Sequence, residues 1–127
     1  MWLFTTAGFF SIVQKPKERD LTVRSRVRAD LERLRKQAMP ELSETFADIG
    51  TDYRYRATIG HADFARGLAR LGEGLRYPNF KSEVAKVLGA RRAQTYSKVW
   101  AALWDLCAED DEDLDRSRKR KKAAGPA

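Results

Sequence analysis

The sequence predicts an α+β domain: a small antiparallel sheet of three or four strands with helices on one face, ending in two helices. Three observations lead there. The N-terminal part holds short runs rich in aromatic and β-branched residues, broken by glycine and proline. The apolar spacing then changes from a period of two to one of three or four, returns to two, and changes again. Last, the segment order, strands then helix then strand then helices, suits a single helical layer on one sheet. A ferredoxin-like or related split βαβ arrangement fits this order if the N-terminal segment divides into two strands.

Residues 2–6 and 9–14 read as strands, with Ala7-Gly8 forming either a tight hairpin turn or a bulge in one longer strand. The polar loop Lys15-Pro16-Lys17-Glu18-Arg19-Asp20 turns the chain back into an antiparallel strand over 21–27. Over 29–38, Leu31, Leu34 and Ala38 share one helical face, and Pro40 ends the helix. Residues 41–52 are a poorly patterned connection in which Leu42, Phe46 and Ile49 are available to cover the edge of the core. A strand follows over 53–59. Gly60-His61-Ala62-Asp63 opens a second helix with a buried stripe of Phe64, Leu68, Leu71 and Leu75. Gly67, Gly72 and Gly74 each cost about 1 kcal/mol relative to alanine, so this helix is expected to fray after Leu71. Asn79 is placed to cap a helix over 80–88, and Gly89 interrupts it. A last helix over 90–108 is expected to bury Tyr96, Val99, Trp100, Leu103 and either Leu106 or Cys107. Residues 109–127, an acidic block followed by a basic one, read as a disordered tail after a single domain over 1–108.

With 127 residues the chain is long enough for one core and too short for two. A hydrophobic content of 43% excludes wholesale disorder. The formal charge of +7 belongs entirely to the body: residues 1–108 carry 19 Lys and Arg against 12 Asp and Glu, and residues 109–127 carry six of each. A basic body attracts polyanions such as nucleic acid or acidic protein surfaces, and the attraction falls with salt. The single cysteine, Cys107, excludes an intramolecular disulfide and a multi-cysteine metal site, and fits a cytoplasmic setting. The apolar stretch 2–13 has no basic leading region and falls short of the ~20 residues that cross a bilayer. It reads as buried strand, so no membrane association is expected.

Chemistry-bearing motifs are sparse. No Gly-rich phosphate loop or nucleophile elbow occurs, and Ser11, Ser25, Ser82 and Ser97 have no evident base. His61 stands alone, short of the ligand count of a zinc site, although Asp63 close by allows an acid/base pair to be imagined. No metal or cofactor is expected.

The distinctive pattern is arginine at every second position. Side chains alternate across a strand, so Arg24, Arg26 and Arg28 share one side of their strand, as Arg54 and Arg56 do of theirs. In one sheet, these five guanidinium groups would line one face and bind an anion. The duller explanation is a solvated face whose charges pair with neighbouring carboxylates and resist edge-to-edge aggregation. Helices covering Val23, Val27, Tyr53, Tyr55 and Ile59 would leave the arginines on the opposite face. Tyr53 and Tyr55 then alternate out of phase with the arginines, which counts against sheet-surface recognition of RNA by base stacking. Arg91, Arg92 and Lys98 on the last helix, and Arg118, Lys119 and Arg120 in the tail, are auxiliary basic residues. Tyr96, Trp100 and Trp104 at i, i+4 and i+8 form an aromatic stripe that serves as core or as a docking ridge.

The strings Met1-Trp2-Leu3-Phe4-Thr5 with Gly8-Phe9-Phe10-Ser11, Asp52-Tyr53-Arg54-Tyr55-Arg56 and Tyr77-Pro78-Asn79-Phe80-Lys81 resemble a group of short uncharacterised bacterial proteins. The resemblance covers roughly residues 1–106. It implies a bacterial, cytoplasmic, compact single domain and brings no activity or site with it. From the residues themselves the expectation is a noncatalytic basic module contacting nucleic acid or another polyanion through the five arginines. The alternatives are a protein-interaction or homo-oligomerising subunit using strand 2–10 or the last helix, and a small hydrolase or nuclease with His61 as general base.

Overall fold

The computed structural model describes residues 1–125. Strands β1 (Trp2–Thr5), β2 (Gly8–Val13) and β3 (Leu21–Ser25) follow one another as antiparallel hairpins. The β1–β2 connection is a tight turn, with Thr5 paired to Gly8. Its geometry is local chemistry: the Thr5 hydroxyl accepts the Ala7 and Gly8 amides at 3.0 and 3.3 Å. Helix α1 (Arg28–Gln37) then leads to a two-residue edge strand β4 (Phe46–Ala47) and to β5 (Tyr55–Ile59), which pairs with both β3 and β4. The sheet is antiparallel throughout, in the order β1-β2-β3-β5-β4.

This is the small-sheet α+β class the sequence predicts, but not the ferredoxin-like strand order. Short loops make β1, β2 and β3 sequential neighbours, so no strand crosses between them. The fifth strand, β4, lies in the stretch read as an unpatterned connection; two exposed residues carry no alternation to detect.

Helices α1 and α2 (His61–Glu73) supply the core of the first unit. Leu31 and Leu34 are fully buried and join Phe10, Ile12, Val23, Ala57, Ile59 and Phe64, with Leu68 and Leu71 packed against them. Burying a leucine of this kind stabilises by roughly 1.5–3 kcal/mol, which explains why the apolar stripes on the two helices are kept. Helix α2 continues through Gly72 to Glu73, further than expected, and Leu75 beyond it is exposed.

By compactness the chain forms two units, Met1–Glu83 and Val84–Ala127. Helix α3 (Phe80–Val87) starts in the first, where the Asn79 side-chain oxygen accepts the Ser82 amide at 2.9 Å as expected of a cap. The second unit holds α4 (Ala90–Leu103) and α5 (Asp105–Ala124). Of the residues expected to be buried on the last helix, only Tyr96 is; Trp100, Leu103, Trp104 and Leu106 are more than half exposed. Residues 109–124, expected to be disordered, are helical. Arg116 pairs with Glu112 and Lys119 with Asp115 one turn apart, and acidic residues precede basic ones as the helix dipole favours. Among the described residues no helix is long and apolar enough to cross a membrane.

Candidate functional site

The register sorts the side chains. Trp2, Ser11, Arg24, Arg56 and Phe46 are successive pairing partners across all five strands, and directly paired residues share a face. Phe4 and Phe9 pair on the same face, and their rings stack at 4.5 Å. The opposite face carries Phe10, Ile12, Val23, Ala57 and Ile59, the core beneath α1 and α2. Arg24 and Arg56 therefore face away from those helices, the arrangement expected if helices cover the Val23 face.

The remaining arginines depart from the expected row. Strand β3 ends at Ser25, whose hydroxyl accepts the Val27 amide, so the strand breaks before Arg26. Arg28 is the first residue of α1, not a strand residue, and its guanidinium lies 4.9 Å from the Tyr55 ring centre. Val27, expected in the core, is exposed for the same reason. Arg54 precedes β5 and is exposed. Arg56 is only 7% exposed and donates through Nε to the Tyr53 carbonyl, with Asp48 4.0 Å away; it braces the sheet more than it meets solvent.

Tyr53 is the largest departure. Strict alternation would put it with Tyr55, which packs against the core. The chain bends between them, and the Tyr53 ring instead comes within 6.3 Å of Phe9 on the arginine face. The guanidinium groups of Arg24 and Arg26 lie 4.8 and 4.7 Å from its centre. A guanidinium over a ring face can still offer N–H groups at its edge to an oxyanion, although the Nε of Arg24 is itself buried. Arg24 spends one of them on the Ser11 hydroxyl at 2.6 Å, and Arg26 donates Nε to the Asp52 carbonyl.

The arginines differ in ion pairing. Arg33, Arg35, Arg66 and Arg70 each pair with a carboxylate. Among the described residues none of Arg24, Arg26, Arg28 or Arg54 does, so the charge at this end of the sheet is not neutralised locally. The tyrosines were read as out of phase with the arginines, yet aromatic residues do share the arginine face. They are Trp2, Phe4, Phe9 and Phe46, together with the displaced Tyr53. The signal was present in the strand phase of residues 2–11, but it becomes informative only once β1 and β2 are registered against β3.

The auxiliary residues belong to the second unit. Arg92 lies 5.8 Å from the Tyr96 ring and donates to its hydroxyl; Arg91 and Lys98 are exposed on α4, as are Arg118, Lys119 and Arg120 on α5. The imagined acid/base pair is not assembled: Asp63 binds Arg66, and His61 meets Gln14 at 3.1 Å. Among the described residues no group of three or more His, Cys, Asp or Glu is placed to hold a metal. A cavity of about 430 Å³ opens between β1 and the ends of α1 and α2, walled by Leu3, Leu68, Leu71 and Tyr77. Arg70 on its rim is held by the Ala38 carbonyl and by Glu41, so its charge is already engaged.

No protein-family model, curated protein or solved structure matches this chain, and its function is argued from the arginine–aromatic face itself.

Proposed function

We propose that this protein is a noncatalytic binding module that takes a polyanion, nucleic acid above all, on the sheet face bearing Arg24 and Arg26, with the exposed Arg54, next to Tyr53 in the chain, as a further contact. One observation carries the reading: guanidinium groups gathered on Tyr53 with no carboxylate to neutralise them. Arg33, Arg35, Arg66 and Arg70 are each paired with a carboxylate. Arg19, Arg76 and Arg91 also lack a carboxylate partner among the described residues, but only Arg24 and Arg26 share one ring. Arginine also recognises phosphate by a planar two-point contact, which a lysine cannot make. Arg56, almost fully buried in the same row, braces the Tyr53 carbonyl, while Arg28 sits against Tyr55 on the core side and is not part of this face.

The test is the salt dependence of binding to labelled single-stranded and duplex oligonucleotides. Arg26 and Arg54 are exposed, so Arg26→Ala combined with Arg54→Ala should leave the fold intact. With a single strand, losing two phosphate contacts should reduce the slope of log affinity against log salt by about 1.4. A wild-type slope in that double variant rejects the site.

A second reading, a self-associating or protein-binding subunit, draws on the exposed Trp100, Leu103, Trp104 and Leu106 of the second unit. It predicts a mass that rises with concentration in sedimentation. A strict monomer at high concentration removes the self-associating form.

A further inference from the structure

We infer that the partner is an unpaired polynucleotide strand whose bases stack on the aromatic side chains of the arginine face. The inference rests on the polyanion reading above and narrows it to one chemistry. A reader of charge alone needs no aromatic residues on its surface. Here they occupy the same cross-strand rows as the arginines: Trp2 and Phe46 end the row through Arg24 and Arg56, and Phe4 and Phe9 lie on the same face beside it.

Their exposure matters. Trp2 is 68% exposed and Phe46 45%, at the two edges of the sheet. Isolated exposed apolar residues are ordinary on any surface. These are distinguished by phase, since both fall on the arginine face although the register could have turned either inward. Trp2 is also supported from the side, its ring meeting Phe9 edge-on at 5.9 Å. A ring held in this way is ready to receive a flat ligand at little entropic cost.

Spacing favours a strand lying across the sheet. Trp2 and Phe46 are four strand intervals apart, about 19 Å at the usual separation between neighbours. Between them lie Arg24, half-buried, and the exposed Arg26 just past the end of β3; Arg56, in the same row, is almost fully buried. A chain crossing in this direction would meet a stacking surface, then guanidinium groups, then a second stacking surface. A duplex keeps its base faces inside its own stack and could use only the charge. An acidic peptide would likewise meet the arginines and leave the rings without flat partners. Alternating phosphate and base chemistry is what an unpaired strand offers, and base–aromatic stacking tolerates any sequence.

The test uses the full-length protein and oligothymidylate or oligouridylate of about 12 nucleotides. Comparison ligands are an abasic strand of equal length, a duplex, inorganic polyphosphate and polyglutamate. The unpaired strand is expected to bind more tightly than all four. Trp2→Ala and Phe46→Ala should each weaken it on the order of 10-fold while leaving the salt slope unchanged. With Trp100→Phe and Trp104→Phe in place, Trp2 emission should be quenched by oligothymidylate and not by the abasic strand. Equal affinity for the abasic strand, duplex, polyphosphate or polyglutamate overturns the stacking inference and needs no variant that folds. If the aromatic variants bind as wild type while Arg26→Ala with Arg54→Ala loses affinity, stacking falls and the polyanion reading stands. If wild-type protein binds none of the ligands at low salt, both fall.

Discussion

Gly8→Ala is expected to remove about 3 kcal/mol of folding stability, the sum of backbone strain and a buried collision. Gly8 has a φ of +149°, which L side chains rarely adopt, and a Cβ there would stand 2.2 Å from the Asp30 carboxyl carbon. Asp30 cannot easily yield. It is 1% exposed, accepts the Phe9 amide at 3.1 Å and pairs with Arg33 at 2.5 Å. Arg33 in turn donates Nε to the Ala7 carbonyl at 2.9 Å, so the pair grips both sides of the β1–β2 turn from α1. Moving the carboxylate would loosen the hairpin that presents Trp2, Phe4 and Phe9. Urea unfolding followed by circular dichroism gives the comparison. The double variant Gly8→Ala/Asp30→Ala should be destabilised by less than the two single losses combined, because removing the carboxylate relieves the collision. An unchanged midpoint for Gly8→Ala alone means that the close approach does not exist.

Arg35→Ala is expected to cost about 2 kcal/mol, with the damage concentrated at β4. The Arg35 guanidinium donates to the Ser43 carbonyl at 2.5 Å, the Leu42 carbonyl at 3.4 Å and the Thr45 hydroxyl at 3.0 Å, and also pairs with Glu32. It holds the segment that enters a strand only two residues long. Arg35→Lys should recover little, since a compact ammonium cannot reach several acceptors as a planar fork does. Amide hydrogen exchange locates the effect. The Asp48 amide, bonded to the Arg54 carbonyl at 2.7 Å, should lose protection before the amides of β2 and β3 do. Uniform loss across the sheet would mean that Arg35 supports the whole fold and not its edge. Because Phe46 lies in β4, this variant should also weaken oligonucleotide binding without altering any residue of the face.

How far each feature was legible depended on its range. Helix α1 follows from Leu31, Leu34 and Ala38, and the start of α3 from Asn79, because spacing and caps act within a turn or two of the chain. Gly8 was recognisable as punctuation, but the demand placed on it comes from Asp30, distant in sequence. Arg33 and Arg35 lie off the Leu31–Leu34–Ala38 face, yet each holds backbone carbonyls that the sequence does not associate with it.

The sequence by itself determined the α+β class, the antiparallel start, the two apolar helix faces and that Arg24 lies opposite Val23 on its strand. These follow from local periodicity and from the need to bury one face of each element. Only the tertiary structure decided the strand order, the bend that carries Tyr53 across the sheet, the departure of Arg28 into α1 and the burial of Arg56. It alone placed Trp2 and Phe46 in the row of Arg24. Register and bends are fixed by contacts between segments far apart in the chain, and a period of two in one strand does not contain the phase of the next.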